Sequence, residues 1–356
     1  MPNYQGIWRP NEQPEKRKSG GVIATTPPVP SGPYQDSAAS GVWSLAEAFA
    51  YSKAGLWPTA GNVAPIGLIG GARNGQNTIY QINIASEGNA TDFGDLSVGR
   101  GNLASCSSQT RGVWAGGLTS SLSSTATNVI DYVTIQTAGN ATDFGNLTST
   151  HNGPAGLSNS TRGVFGAGRT AAGTYQNIIQ YIAIASTGNA TDFGDLTFTG
   201  ERLAACASSS RGVFMGGADS GNTPQNIIQY VTIASTGNAT DFGDLASATR
   251  NAAGCSSSTR GLIGGGEDAS VTFNKIEYIT IATTGNSSDF GDLTSARNEP
   301  SACSSSERGV FASGSSSTVI DFVTISTTGN AVDFGDMITD RNGAAACSNA
   351  HGGLAA

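Results

Sequence analysis

Short apolar runs rich in β-branched residues recur along the chain, each bounded by glycine-containing turns, and the same order of runs returns several times. Residues 211–258 show one full unit: a Gly-flanked apolar run at 212–217, a longer β-branched run at 226–235, an aromatic run around Phe242 and a small-residue run around Cys255. Runs of this length and composition predict strands, so a unit of about 49 residues carries four of them. The phrase GNATDFGDL marks each unit, and its aromatic residue returns as Phe93, Phe144, Phe193, Phe242, Phe290 and Phe334, at intervals of 51, 49, 49, 48 and 44 residues. Before this array the pattern changes. Residues 1–40 carry seven prolines and no apolar period, which predicts an extended arm. Residues 41–60 hold a capping-box pair, Ser44 and Glu47, which opens a short helix ending before Pro58.

Four short strands per unit and six units predict an all-β, six-bladed β-propeller over residues 61–356. The small-residue strands belong innermost, where strands crowd the axis. The first unit lacks such a strand in front of it and the last unit ends with one, GAAACSNA, so the C-terminal strand is expected to complete the N-terminal blade and leave no open edge. Gly353 to Ala356 read as the stub of a further strand. A β-solenoid is the alternative, but its coils are shorter and its ends need caps.

Repeat position assigns roles to residues that otherwise suggest chemistry. Asp-Phe-Gly also occurs at the magnesium site of kinases, yet a catalytic motif serves once per active site, whereas this one is stamped along the chain. Cys106, Cys206, Cys255, Cys303 and Cys347 each follow the repeat Phe by 13 residues, and Leu157 takes that place in the second unit. Exchange with Leu implies a buried apolar slot, not a disulfide or metal site. The Gly-Asn pairs at Gly88-Asn89, Gly139-Asn140, Gly188-Asn189, Gly237-Asn238, Gly285-Asn286 and Gly329-Asn330 predict tight turns with positive φ. Arg111, Arg162, Arg211, Arg260 and Arg308 are expected to make blade-to-blade pairs with Asp92, Asp143, Asp192, Asp241, Asp289 and Asp333.

The distance from the Gly of the second strand to the next Phe varies from 25 to 32 residues, while the other spacings hold constant. All the variation therefore lies in the loop between the second and third strands, on the face shared with the blade-to-blade crossovers. Variable loops on a rigid scaffold are where binding resides, which singles out Arg73, Asn74, Arg169, Tyr175, Asp219, Glu267 and Asp268. In the N-terminal region Trp8, Trp43, Leu45, Phe49 and Trp57 need a covering surface, so residues 1–60 are expected to anchor the chain to a partner.

Composition narrows the classes. A net charge of -8 and a pI near 4.7 argue against nucleic acid. The start of the chain does not resemble a signal peptide, and no apolar run suits a membrane helix, so neither Sec secretion nor membrane insertion is expected. Only His151 and His351 occur, no nucleophile motif rises above the repeat, and no metal or cofactor is expected; the chain reads as a non-enzyme. Glycan cleavage would need two carboxylates about 5 to 10 Å apart on the loop face.

The order of an Arg, an apolar strand ending in Gly-Gly (GLIGG, GVWAGG, GVFMGG), a Tyr-bearing strand, an aromatic strand and a further Arg resembles the kelch repeat, whose fold is a β-propeller. The chain departs from it where Phe replaces the Trp of the outer strand. GVWSLAEAFAYSKAGLWP resembles the Gly-x-Trp-x-Leu segment that precedes Gly/Ser/Thr-rich repeats in tailed-bacteriophage virion proteins, and the GNATDFGDL repeats are similar to those of marine phage proteins of this kind. The resemblance implies a virion protein present in several copies, a tail fibre or tail tip that binds a host glycan through its propeller loops. A head or tail decoration protein is the structural alternative.

Overall fold

The computed structural model describes residues 64–73, 75–119 and 125–354. The expected arm and helix, with Trp8, Trp43, Leu45, Phe49 and Trp57, lie outside the described residues, as does Asn74. Residues 65–356 form one compact unit, an all-β propeller of six sheets. Four antiparallel strands make the common blade, as in Ala204–Ala207, Arg211–Met215, Ile227–Thr232 and Thr240–Asp244, numbered here inner, second, third and outer. Ala345–Ser348 pairs with Ile66–Ala72, so the last strand of the chain is the inner strand of the first blade, as the repeat boundaries require. The third blade gains a short fifth strand, Ala218–Asp219, on its outer strand Thr191–Glu201. No described helix is long and apolar enough to cross a membrane.

The core consists of layers between adjacent blades. Each of six apolar clusters draws on two neighbours; Leu68, Ile79 and Phe93 of the first blade, for example, meet Trp114, Val133 and Ile135 of the second. Second strands are covered on both faces, which explains their unbroken apolar runs. The thiols fill the slot expected of them. Cys106 packs against the next blade so closely that a Cβ on Gly163 would stand 2.4 Å from its Sγ, and Leu157 occupies the equivalent place against Gly212 at 2.5 Å. Burial pushes the Cys206 and Cys303 thiols up to about 12 and raises the other three as well.

The Asp-Phe-Gly phrase is a β-bulge combined with an interblade latch. In the fourth blade Ile228 faces Gly243 and Gln229 faces Asp241, so Phe242 is the extra residue, turned into the core. All six blades repeat this skip. Gly94 sits at φ 152°, and a Cβ there would lie 2.3 Å from the Gly139 carbonyl of the next blade, so only Gly fits. Gly139 donates its N–H to Phe93 O, and Asn140 Oδ1 accepts the N–H of Asp95. The same Asn bond recurs at every junction. The Gly-Asn pairs are not the tight turns expected of them: the turns come just before, closed by bonds such as Ser86 N–H to Asn83 O and Thr137 N–H to Thr134 O, and no Asn of a pair has positive φ; the Asn side chains serve the neighbouring blade instead.

The Arg and Asp series do not pair. Arg111, Arg162, Arg211, Arg260 and Arg308 each lie over a ring of their own blade, Tyr132, Tyr181, Tyr230, Tyr278 or Phe322, at 4.2 to 4.7 Å. Each also donates to a carbonyl of the next blade, such as Ile184 O for Arg111. The Asp residues point outward on the outer strands, where a charge keeps its hydration.

Candidate functional site

The variable loops and the crossovers do share a face, and main-chain bridges join them: Gly101 with Leu118, Asn152 with Arg169, and Arg250 with Glu267. Nine residues after each repeat Phe the crossover turns sharply at Asn102, Gly153, Arg202, Asn251, Glu299 and Gly343, with φ between 52° and 67°. Five hydrogen bonds link these residues around the axis: Gly153 N–H to Asn102 O, Arg202 to Gly153, Asn251 to Arg202, Glu299 to Asn251 and Asn102 to Gly343. Left-handed backbone suits Gly and Asn, whereas Arg and Glu adopt it only under constraint from their surroundings.

Around this ring lies the axial mouth, and three of the loop candidates converge on it. Arg73 pairs with Glu299 at 2.5 Å and donates to Asn102 Oδ1. Glu267 accepts from Arg250, Asn251 and Asn298. Arg169 stands 3.6 Å from Glu201, whose other oxygen is 3.2 Å from Arg202. Tyr175 joins through Arg169, which it pairs on the main chain and whose guanidinium lies 5.6 Å from its ring centre. Burial raises the Glu299 carboxyl, opposed by Arg73 and Arg202 and reinforced by Glu267. Asp219 and Asp268 stand apart. Asp219 accepts the N–H groups of Gly221 and Thr223, and Asp268 those of Ser270 and Val271, which hold its carboxyl below the usual range. Both carboxylates shape their own loops.

The repeat also concealed a polar layer beneath the mouth. Seven residues after each Phe come Arg100, His151, Gly200, Thr249, Arg297 and Arg341, and the equivalent positions on the next blade's third strand are Asp131, Gln180, Gln229, Glu277, Asp321 and Tyr80; four of these pairs meet. Arg100 and Asp131, both fully buried, bond at 2.6 Å; Arg297 pairs with Asp321; His151 Nε2 accepts from the Gln180 amide; Arg341 lies 4.4 Å over Tyr80. Both positions vary from unit to unit, and their polar residues are visible in the sequence once the units are aligned.

The other end of the axis is built from serines. Ser158 Oγ donates to Ser107 O and accepts Ser107 N–H, and Ser107, Ser256, Ser304 and Ser348 clip their predecessors in the same sense. Ala207 breaks the ring, leaving Ser158 O unclipped by its neighbour, and there the chain end packs. Gly352–Leu354 is a buried 3-10 turn, not the expected strand stub; a Cβ on Gly353 would lie 1.9 Å from Ser158 O. His351 lines the axial channel of about 60 Å³ with the inner strands. Its Nδ1 accepts Gly353 N–H and its Nε2 lies near Ser158 Oγ and Ser107 O, while burial lowers its pKa to about 4.

A scan against protein-family models finds no match, and neither does a search of curated proteins.

Proposed function

We propose that the chain is a virion protein of a tailed bacteriophage, a tail-fibre or tail-tip component that binds a host-surface glycan through its loop face and is anchored to a neighbouring virion protein by residues 1–60. The observation that carries the binding half is the asymmetry of the ring. Among the described residues, variable loops and crossovers share one face around a mouth reached by Arg73, Arg169 and Glu267, while the connections at the opposite face are near copies tied to the next blade. The segment resembling phage virion proteins supports the virion half, and several copies on one particle would raise a weak single-site affinity by avidity. The role is binding, without catalysis or cofactor.

A decoration or adaptor role is the second reading, favoured by the Asp219 and Asp268 carboxylates being consumed within their own loops. Particles carrying the chain with residues 170–174 shortened separate the two. Intact particles with reduced host adsorption support glycan binding; failed particle assembly supports the structural role.

A further inference from the structure

Each of the six sheets leaves one free edge at the axis. The inner strands pair on one side only, with the second strands, so alternate residues turn their main-chain N–H and C=O groups away from their own sheet. The serines close one level of this edge: Ser158 Oγ donates to Ser107 O and accepts the Ser107 N–H. The other level lies two residues earlier in each strand, at Ser105, Gly156, Ala205, Gly254, Ala302 and Ala346. There, among the described residues, one side chain reaches an edge group of the neighbouring blade, Ser105 Oγ donating to Ala346 O. These are also the accessible positions. Each is half-buried whereas the other residues of its strand are buried, and all six line the axial channel of about 60 Å³. Main-chain donors and acceptors away from bulk water need partners, and side chains supply few of them at this level.

We propose that the axial channel is a binding site for ordered water, held by the edge N–H and C=O groups of this second level. At roughly 30 Å³ per molecule in the liquid, the channel takes about two waters. The chemistry of the edge selects the occupant. Each residue presents a donor and an acceptor side by side, and water matches both. A cation would face the N–H groups, an anion the C=O groups, and an apolar guest would leave both unpaired. Ser158 already makes this double contact on Ser107, so water does at the second level what a hydroxyl does at the first. The site is independent of the glycan reading, because the inner strands alone build it.

The test is an atomic-resolution crystal structure of the full chain, with further crystals soaked separately in rubidium and bromide salts. The expected result is discrete oxygen density in the channel at hydrogen-bonding distance from the edge groups, and no anomalous peak there from either ion. An empty channel overturns the proposal. A rubidium peak in the channel makes it a cation site and a bromide peak an anion site, and either result overturns the assignment to water. Two variants test the equivalence of hydroxyl and water. Ala302→Ser places a hydroxyl against Gly254 O as Ser105 does against Ala346 O, and one water should be lost. Ser105→Ala removes an atom without crowding the channel, so a folding failure of Ala302→Ser would still leave a decisive variant; here a water should be gained on Ala346 O. If the water of Ala302→Ser stays in place, or Ala346 O stays bare in Ser105→Ala, the equivalence fails and the proposal with it.

Discussion

At the scale of single residues, the repeat is preserved by close contacts more than by propensity. Cys106 and Gly163 form a matched pair in which the thiol fills the place of a missing Cβ. Gly163→Ala overpacks this contact and should cost roughly 1–3 kcal/mol. Adding Cys106→Ala should recover part of that loss, so a double-mutant cycle by urea denaturation should show coupling; strict additivity would mean that the two do not touch. Because burial raises all five thiols, none should react with a water-soluble disulfide reagent at pH 8 in the folded protein, and all five should react in guanidinium.

Between elements, the junctions carry individual signatures on a uniform scaffold. The bulge, the Asn latch and the Arg-to-carbonyl bond recur from blade to blade, but the buried polar pair differs. Asp131→Ala would strand the fully buried Arg100 and should lower stability by about 3–5 kcal/mol, whereas Asn238→Ala, which removes one exposed latch, should cost about 0.5–1.5 kcal/mol. Urea midpoints for the two variants would check the order; equal losses would show that a buried pair holds its junction no more strongly than an exposed latch holds another.

For the whole molecule, closure and acid response are the properties to test. Ending the chain at residue 344 removes the inner strand of the first blade and exposes the edge of Ile66–Ala72, so the cooperative unfolding transition should be lost. Ending it at residue 350 removes only the buried turn and should leave a folded ring. His151 and His351 are both held neutral by burial, while the unfolded chain takes up protons near pH 6.5. Stability is therefore full above pH 6.5 and declines as the pH falls toward about 4, where the folded His351 also titrates. The His351 contribution lost over that window is about 3 kcal/mol, and His351→Gln should flatten the dependence of the urea midpoint on pH between these limits.

The amino-acid sequence by itself determined the period, the strand order, the split blade, the buried slot of Cys and Leu157, and the face on which the loops vary, because each is written into spacing and residue size and repeats often enough to be read. Three things were decided only by the tertiary structure. The Arg partners turned out to be rings and carbonyls, since an exposed Asp gains more from water than from a distant guanidinium. The Asn side chains reach the neighbouring blade, a contact about 43 residues away in sequence for Asn189 and Asn238. The mouth brings Arg73, Arg169 and Glu267 from separate loops onto Glu299, Glu201 and Asn251 of the crossovers, because curvature around the axis, not proximity along the chain, sets which side chains meet.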